Sequence, residues 1–251
     1  MNPTTERRSP NLLLSVIVPA YNEAATVESA LRRVRQVSLR LEIIVVNDAS
    51  TDGTREILEG LAGQGLIDKV IHHDKNRGKG AAIRTGVAAA TGDVIVVQDA
   101  DLEYDPTDLP ALLLPIRARQ ADAVYGSRFL SGPHRVLYFW HYVGNKFLTL
   151  LSNMFTNLNL TDLETCYKLV RADVLKNLPL TSNRFGFEVE ITARLAQAHA
   201  RIWEIPISYS GRTYAEGKKI TWRDGLAALF HILRYNLFVP GKPDTWRLPA
   251  K

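Results

Sequence analysis

The sequence predicts an α/β protein with a mostly parallel central sheet, flanked by helices and followed by C-terminal amphipathic helices. Two observations carry this expectation. In the first half, short Val/Ile-rich runs alternate with stretches of helical period, the pattern of strands buried on both faces. After about residue 128 the alternation gives way to long apolar stripes at helical spacing.

The elements follow in order. "LLLSVIVP" (12–19) reads as a buried strand, and "EAATVESALRRVRQV" as a helix entered through Asn22, a good N-cap residue. "LEIIVVN" (41–47) is a second strand, "TDGTREILEGLAG" a second helix and "IDKVIHH" (67–73) a third strand. "GKGAAIRTGVAAATG" gives an Ala-rich helix, "DVIVVQ" a fourth strand, "DPTDLPALLLPIRARQ" a helix with Pro near its start, and "ADAVYG" a fifth strand. Residues 136–158 then read as a long helix with Trp140, Val143, Phe147, Leu151 and Met154 on one stripe. "TCYKLVRADVLKNL" suggests a strand and short helix, "FGFEVEITARLAQAHA" a helix, and "RIWEIPISYS" an extended strand pair. "TWRDGLAALFHILRYNLF" repeats an apolar stripe (Trp222, Leu226, Leu229, Phe230, Leu233, Leu237). Such stripes suit either a core or a helix lying in a bilayer interface.

Composition narrows the function classes. The chain has 251 residues, 46% hydrophobic and 23% charged, as ordinary globular proteins do. Cys166 is the only cysteine, so neither an intrachain disulfide nor a cysteine zinc site is expected, and a reducing compartment fits. The polar, basic opening "MNPTTERRSPN" reads as a disordered arm rather than a signal peptide, and no apolar run reaches eighteen residues. Net charge is +5: residues 1–200 carry 22 Lys+Arg against 22 Asp+Glu, and residues 201–251 carry 9 against 4. A basic tail suits an anionic partner such as phosphate, nucleic acid or a membrane surface, or simply a soluble basic face.

Open α/β sheets bind ligands beyond the carboxyl ends of their strands. Three polar clusters fall there: "PAYNEA" (19–24), "NDASTDGT" (47–54) and "QDADLEYDP" (98–106). Singly, each has a plain explanation, with Asn22 and Thr51 as helix caps and Asp48 in an Asx-turn. In an extended chain Asp99, Asp101 and Glu103 project to one side, and carboxylates without His or Cys suit a hard cation such as Mg²⁺ or Mn²⁺. An EF-hand loop is excluded, because its sixth position would be Tyr104 and its twelfth Pro110. "NRGKGAAIR" (76–84) places glycines and Lys79 at a helix start, a ready anion site. It is neither the dinucleotide fingerprint, since Ile83 replaces the third glycine, nor a Walker loop.

The segments "SVIVPAYNEAATV", "EIIVVNDASTDGT", "NRGKGAAIRTGVAAATGDVIVVQDADLEYDP" and "VYGSRF" resemble, in order and spacing, the inverting family-two glycosyltransferases of GT-A fold, and among them the dolichyl- and polyprenyl-phosphate sugar synthases. "TCYKLVRADVL", "FGFEVEI" and "IPISYSGRTYAEGKKI" extend the similarity to about residue 222. The resemblance implies that Pro19, Tyr21, Glu23 and Asp48 line the base and ribose site. Lys79, Asp99, Ala100 and Asp101 would hold the rest of the nucleotide-sugar, with Asp99, Asp101 and Glu103 the metal ligands. Arg128 of "GSR" would meet the lipid phosphate, and Arg212, Lys218 and Lys219 would clamp phosphates. It departs at Asn47, where many relatives carry Asp, and at "ETCYK" (164–168), where mannose synthases often have an SGFR-like string.

The expected organisation is therefore a basic arm (1–11), a GT-A domain (12–220) with a nucleotide-sugar half (about 12–128) and an acceptor half (about 129–220), and an interfacial helix with a basic tail (221–251). The expected reaction is metal-dependent, inverting transfer from GDP-mannose or a UDP-hexose to a polyprenyl or dolichyl monophosphate, at the cytoplasmic face of a membrane and without nucleic acid as partner. An ionised phosphate acceptor needs no general base. A hydroxyl acceptor on a glycan or metabolite, the alternative, requires one, and Glu188 and Glu190 are the candidates, although an exposed helix start would explain both. A non-catalytic sugar-nucleotide-binding protein is the third reading.

Overall fold

The computed structural model describes residues 11–130, 135–136, 138–184, 186–213 and 222–239. The expected arm, Lys218, Lys219 and the end of the basic tail lie outside these residues. Seven strands form one sheet: β1 (Leu14–Ala20), β2 (Leu41–Asn47), β3 (Lys69–His72), β4 (Val94–Val97), β5 (Ala123–Ser127), β6 (Lys168–Arg171) and β7 (Ile202–Pro206), in the spatial order β3-β2-β1-β4-β6-β5-β7. All neighbours run parallel except β6, which is antiparallel to both β4 and β5.

The apolar runs behave as their composition demands. Val16, Ile17, Val18, Ile43, Ile44, Val45, Ile95 and Val96 are fully buried, because helices cover both faces of the sheet. The covering helices of the first half are α1 (Val27–Arg35), α2 (Thr54–Gly63), α3 (Lys79–Ala89) and α4 (Leu109–Arg117). Each long one turns an apolar stripe inward, such as Val27, Leu31 and Val34 of α1. Removing one such side chain, as in Leu31→Ala, costs about 2–5 kcal/mol. Pro19 is tolerated in a central strand because pairing with β4 ends at Ile17, so the missing N–H falls where one neighbour has already left.

The second half contains α5 (Phe139–Thr156), α6 (Ala172–Leu175), α7 (Phe187–Gln197) and α8 (Trp222–Leu233), the last running into a π-helical turn, Arg234–Phe238. The expected strand pair at 201–210 is instead one strand, β7, followed by a segment that meets the first half through an isolated antiparallel bridge, Tyr104 to Tyr209. The stripes of α5 and α8 divide. Leu148 and Leu151 pack with Ala228, Ile232, Leu163 and Val189 in a small second core. Trp140, Phe147 and Met154 of α5, and Leu226 and Phe230 of α8, stay exposed. No described helix is long and apolar enough to cross a membrane.

Candidate active site

Strands β1, β2 and β4 end side by side, so the three polar clusters meet on one edge of the sheet. Two of them are laced together. Asn22 does not cap α1, which begins five residues later. It adopts a φ of +53° and accepts the Thr51 N–H (2.8 Å), while its own N–H donates to Ser50 Oγ (3.0 Å). The Glu23 N–H donates to Thr54 Oγ1 and the Ala24 N–H to Asp52. Thr51 likewise lies ahead of α2, whose N-cap is Gly53. Pro19 and Glu23 are half-buried along this edge, and Tyr21 is exposed.

Asp48 does more than close an Asx-turn. Its buried carboxylate accepts the N–H groups of Arg77 (2.9 Å) and Gly78 (2.7 Å) and contacts His73 Nδ1 at 2.6 Å, and His73 Nε2 meets Thr85. The carboxylate thereby holds the entry to α3. At that entry the glycines serve close approach of the backbone. A Cβ on Gly78 would collide with the Asn183 carbonyl, and one on Gly80 would lie 2.5 Å from Ser182 O. The Ala81 N–H donates to Asn183 O, so part of the helix start is already covered.

Lys79 reaches forward from this start. Its ammonium lies 2.9 Å from Asp99 and 3.0 Å from Glu188. Burial works against the charge, but the two carboxylates overcome it and hold the Lys79 pKa well above its ordinary value. On the far side of the acidic segment, Arg212 Nη2 is 3.0 Å from Asp101, and its Nε is 3.0 Å from Glu103. Burial first, then the charges of Asp99 and Glu103, push Asp101 up to about 7.

The expected convergence of Asp99, Asp101 and Glu103 on one side of an extended strand is corrected. Strand β4 ends at Val97, and Leu102 takes a φ of +66°, which breaks the period-two alternation. Glu103 turns instead to Tyr209 Oη (2.7 Å) and to the N–H and side chain of Arg212. Among the described residues no three-carboxylate group is arranged around a metal position. Asp99 and Asp101 do suit a divalent ion. Burial, and then the charges of Asp99 and Glu103, raise Asp101, a cost that a bound cation would offset, and both aspartates sit at ion-pairing distance from a cationic side chain. Ala100, between them, is buried.

Arg128 is not a free phosphate clamp. Its Nε and Nη2 form a two-pronged pair with Asp162 (2.7 and 2.8 Å), and its backbone N–H donates to the same carboxylate. The guanidinium also lies 5.2 Å from the Tyr209 ring centre, and the Tyr209 hydroxyl donates to Glu103, the carboxylate that Arg212 also meets. The Ser210 N–H donates to Glu103 O and the Ser208 N–H to Asp108, which fixes the segment carrying Arg212. A cleft of about 440 Å³ opens beside Glu103, between Arg33, Asp105, Arg135 and Tyr209.

Glu188 and Glu190 do not form an exposed helix start. Both are buried, at 7% and 0% exposure. Glu190 is fully used, accepting the N–H groups of Thr181 and Ser182 and the Thr181 hydroxyl. It has no capacity left to act as a base. Sequence reasoning also missed His73, Asp162 and Glu164. The partners of His73 and Asp162 lie 25 and 34 residues away in the chain, and no local pattern announces such pairs.

A mostly parallel seven-stranded sheet with one reversed strand, flanked by helices, is an architecture of GT-A type. Comparison with known proteins agrees. Glycosyl transferase family 2 matches residues 15–178, and the chain belongs to that family. It is thus a glycosyltransferase. It is 34% identical over 212 residues to an undecaprenyl-phosphate mannosyltransferase of Micrococcus luteus, covering 80% of this chain and 85% of the relative. A dolichol-phosphate mannosyltransferase of Pyrococcus furiosus (29%, 82% of this chain) and a dodecaprenyl-phosphate galacturonate synthase of Rhizobium johnstonii (27%, 83%) are similar too. The chain spans only 58% and 62% of the length of those two. In fold it matches glucosyl-3-phosphoglycerate synthase of Mycobacterium tuberculosis, solved with Mn²⁺, UDP and glucosyl-3-phosphoglycerate, at a TM-score of 0.70 and 20% identity over 92% of this chain and 82% of that one. TarS of S. aureus, solved with UDP-GlcNAc, matches at 0.58 and 20% over 90% and 68%.

Proposed function

We propose that the protein transfers a sugar, with inversion, from GDP-mannose or a UDP-hexose to a polyprenyl or dolichyl monophosphate at the cytoplasmic face of a membrane. The observation that carries this reading is the aspartate pair, Asp99 and Asp101, set between Lys79 and Arg212 where β4 ends. An anionic pair flanked by cations can take a metal on one side and phosphates on the other. The relatives named for polyprenyl-phosphate acceptors support the choice of acceptor.

In this mechanism Pro19, Tyr21, Glu23 and Asp48 receive the base and ribose, with Asp48 also fixing the loop that presents Lys79. Asp99 and Asp101 would hold Mg²⁺ or Mn²⁺, which when bound stabilises charge on the departing diphosphate. Lys79 and Arg212 bring positive charge to the same leaving group, and Arg212 must exchange its carboxylate partners for phosphate oxygens to do so. The acceptor phosphate is already ionised at pH 7 and attacks without a general base. Arg128 orients it from a position held by Asp162, with Lys218 and Lys219 as further phosphate ligands. The exposed aromatic and aliphatic side chains of α5 and α8 would rest in the bilayer interface, where the lipid acceptor resides.

The test incubates purified protein with undecaprenyl or dolichyl phosphate, Mg²⁺ or Mn²⁺, and radiolabelled GDP- and UDP-sugars. Label should move into the organic phase with at least one donor. Label confined to a water-soluble product would favour a hydroxyl acceptor, and absence of transfer with every donor would overturn the reading.

A further inference from the structure

Buried carboxylates in this protein are normally saturated with donors. Glu42 takes Ser15, Lys69 and Thr91 on its two oxygens, Glu190 takes Thr181 and Ser182, and Asp162 takes three N–H groups of Arg128. Two others break the pattern. Oε2 of Glu188 and Oε1 of Glu164 are buried without a hydrogen-bond partner among the described residues. A carboxylate oxygen stripped of water and left unmatched is costly, so two of them together mark a place built to receive donors from outside the chain.

Their position identifies those donors. Glu188 touches Lys79, which touches Asp99, so one ammonium separates it from the donor diphosphate end. Glu164 lies two residues from Asp162, the anchor of Arg128, at the acceptor end. Leu163 and Val189, the chain neighbours of Glu164 and Glu188, pack in one small core, which brings the two carboxylates into the same region. Burial first, and then the charge of Glu188, raise the Glu164 pKa to about 7, as that proximity requires. Lys168, the nearest lysine to Glu164 along the chain, is turned to the carbonyls of Leu163 and Thr165. Cationic neighbours are therefore already committed, and neutral hydroxyl donors fit what remains. The group that must lie between a donor diphosphate and an acceptor phosphate is the hexose in transit.

We propose that Glu164 and Glu188 recognise hydroxyl groups of the transferred sugar and determine which hexose the protein accepts. The inference rests on the transferase reading above. It gives a use to "ETCYK" (164–168), the segment where this chain departs from the mannose-synthase pattern.

The test measures binding and transfer of the best donor and of its singly deoxygenated analogues, in wild type and in Glu164→Gln, Glu188→Gln and the acceptor-retaining Glu164→Asp. At least one deoxy analogue should bind wild type about tenfold more weakly than the parent sugar, the range for a hydrogen bond to a charged group. That penalty should shrink below twofold in the matching Gln variant and be partly restored in Glu164→Asp. Affinity for the nucleoside diphosphate alone should stay unchanged in Glu164→Gln, which also verifies folding; Glu188→Gln, which removes a charge beside Lys79, is read through its deoxy penalties alone. Unchanged deoxy penalties in both Gln variants would overturn the proposal. So would equal weakening of nucleoside diphosphate and sugar nucleotide in Glu164→Gln, or loss of turnover in that variant with every penalty intact, which would mark a base. Wild-type protein that binds no sugar nucleotide would overturn the transferase reading itself.

Discussion

Arg128 and Asp101 show how the surroundings of a residue decide its part. Arg128 is buried against Asp162, and removing one partner of such a pair leaves the other charged and desolvated. Arg128→Ala should therefore destabilise the fold by about 3 kcal/mol in chemical denaturation, and Arg128→Ala combined with Asp162→Ala should recover part of the loss. An additive double variant would contradict the coupling. Asp101 behaves in the opposite way. Burial, and then the charges of Asp99 and Glu103, disfavour its ionised form, so Asp101→Asn should leave the melting temperature unchanged or raised while turnover falls about 100-fold or more. Near-wild-type turnover in that variant would remove Asp101 from the metal site.

At the scale of elements, what could be read from the sequence was what local pattern controls. The strands β1, β2 and β4 were legible as short Val/Ile runs bounded by turn residues, and β5 by its place in the strand–helix alternation, while Asp99 and Asp101 stood out by their position just past a strand end. The reversed strand β6 was not, since "KLVR" carries no mark of its direction. Nor was the role of Asn22, whose partner Thr51 belongs to another loop. The start of α3 joins both kinds of information. Gly78 was visible as a helix-start glycine, but its reason is a φ of +91° and the pressing carbonyl of Asn183. Gly78→Ala should cost about 2 kcal/mol or more in stability and weaken nucleoside diphosphate binding, because it shifts Lys79. Wild-type stability in that variant would refute the close packing.

For the whole molecule, the two halves contribute unlike things. The first supplies the edge with Asp48, Lys79, Asp99 and Asp101, and the second supplies Arg212, Glu188 and the apolar faces of α5 and α8. Amphipathic periodicity found both helices but could not say which residues face outward, because that depends on how α5 packs on α8. Trp140→Asp with Phe147→Asp should abolish sedimentation with anionic vesicles while leaving sugar-nucleotide binding intact, since both side chains are exposed. Unaltered sedimentation would separate these faces from the membrane. The central claim, that the acceptor is a lipid phosphate attacked without a base, is tested most directly by ³¹P NMR of a turnover mixture. The account predicts that the phosphomonoester resonance of the polyprenyl phosphate is replaced by a glycosyl phosphodiester as nucleoside diphosphate accumulates. Nucleoside diphosphate accumulating while the phosphomonoester persists would contradict it.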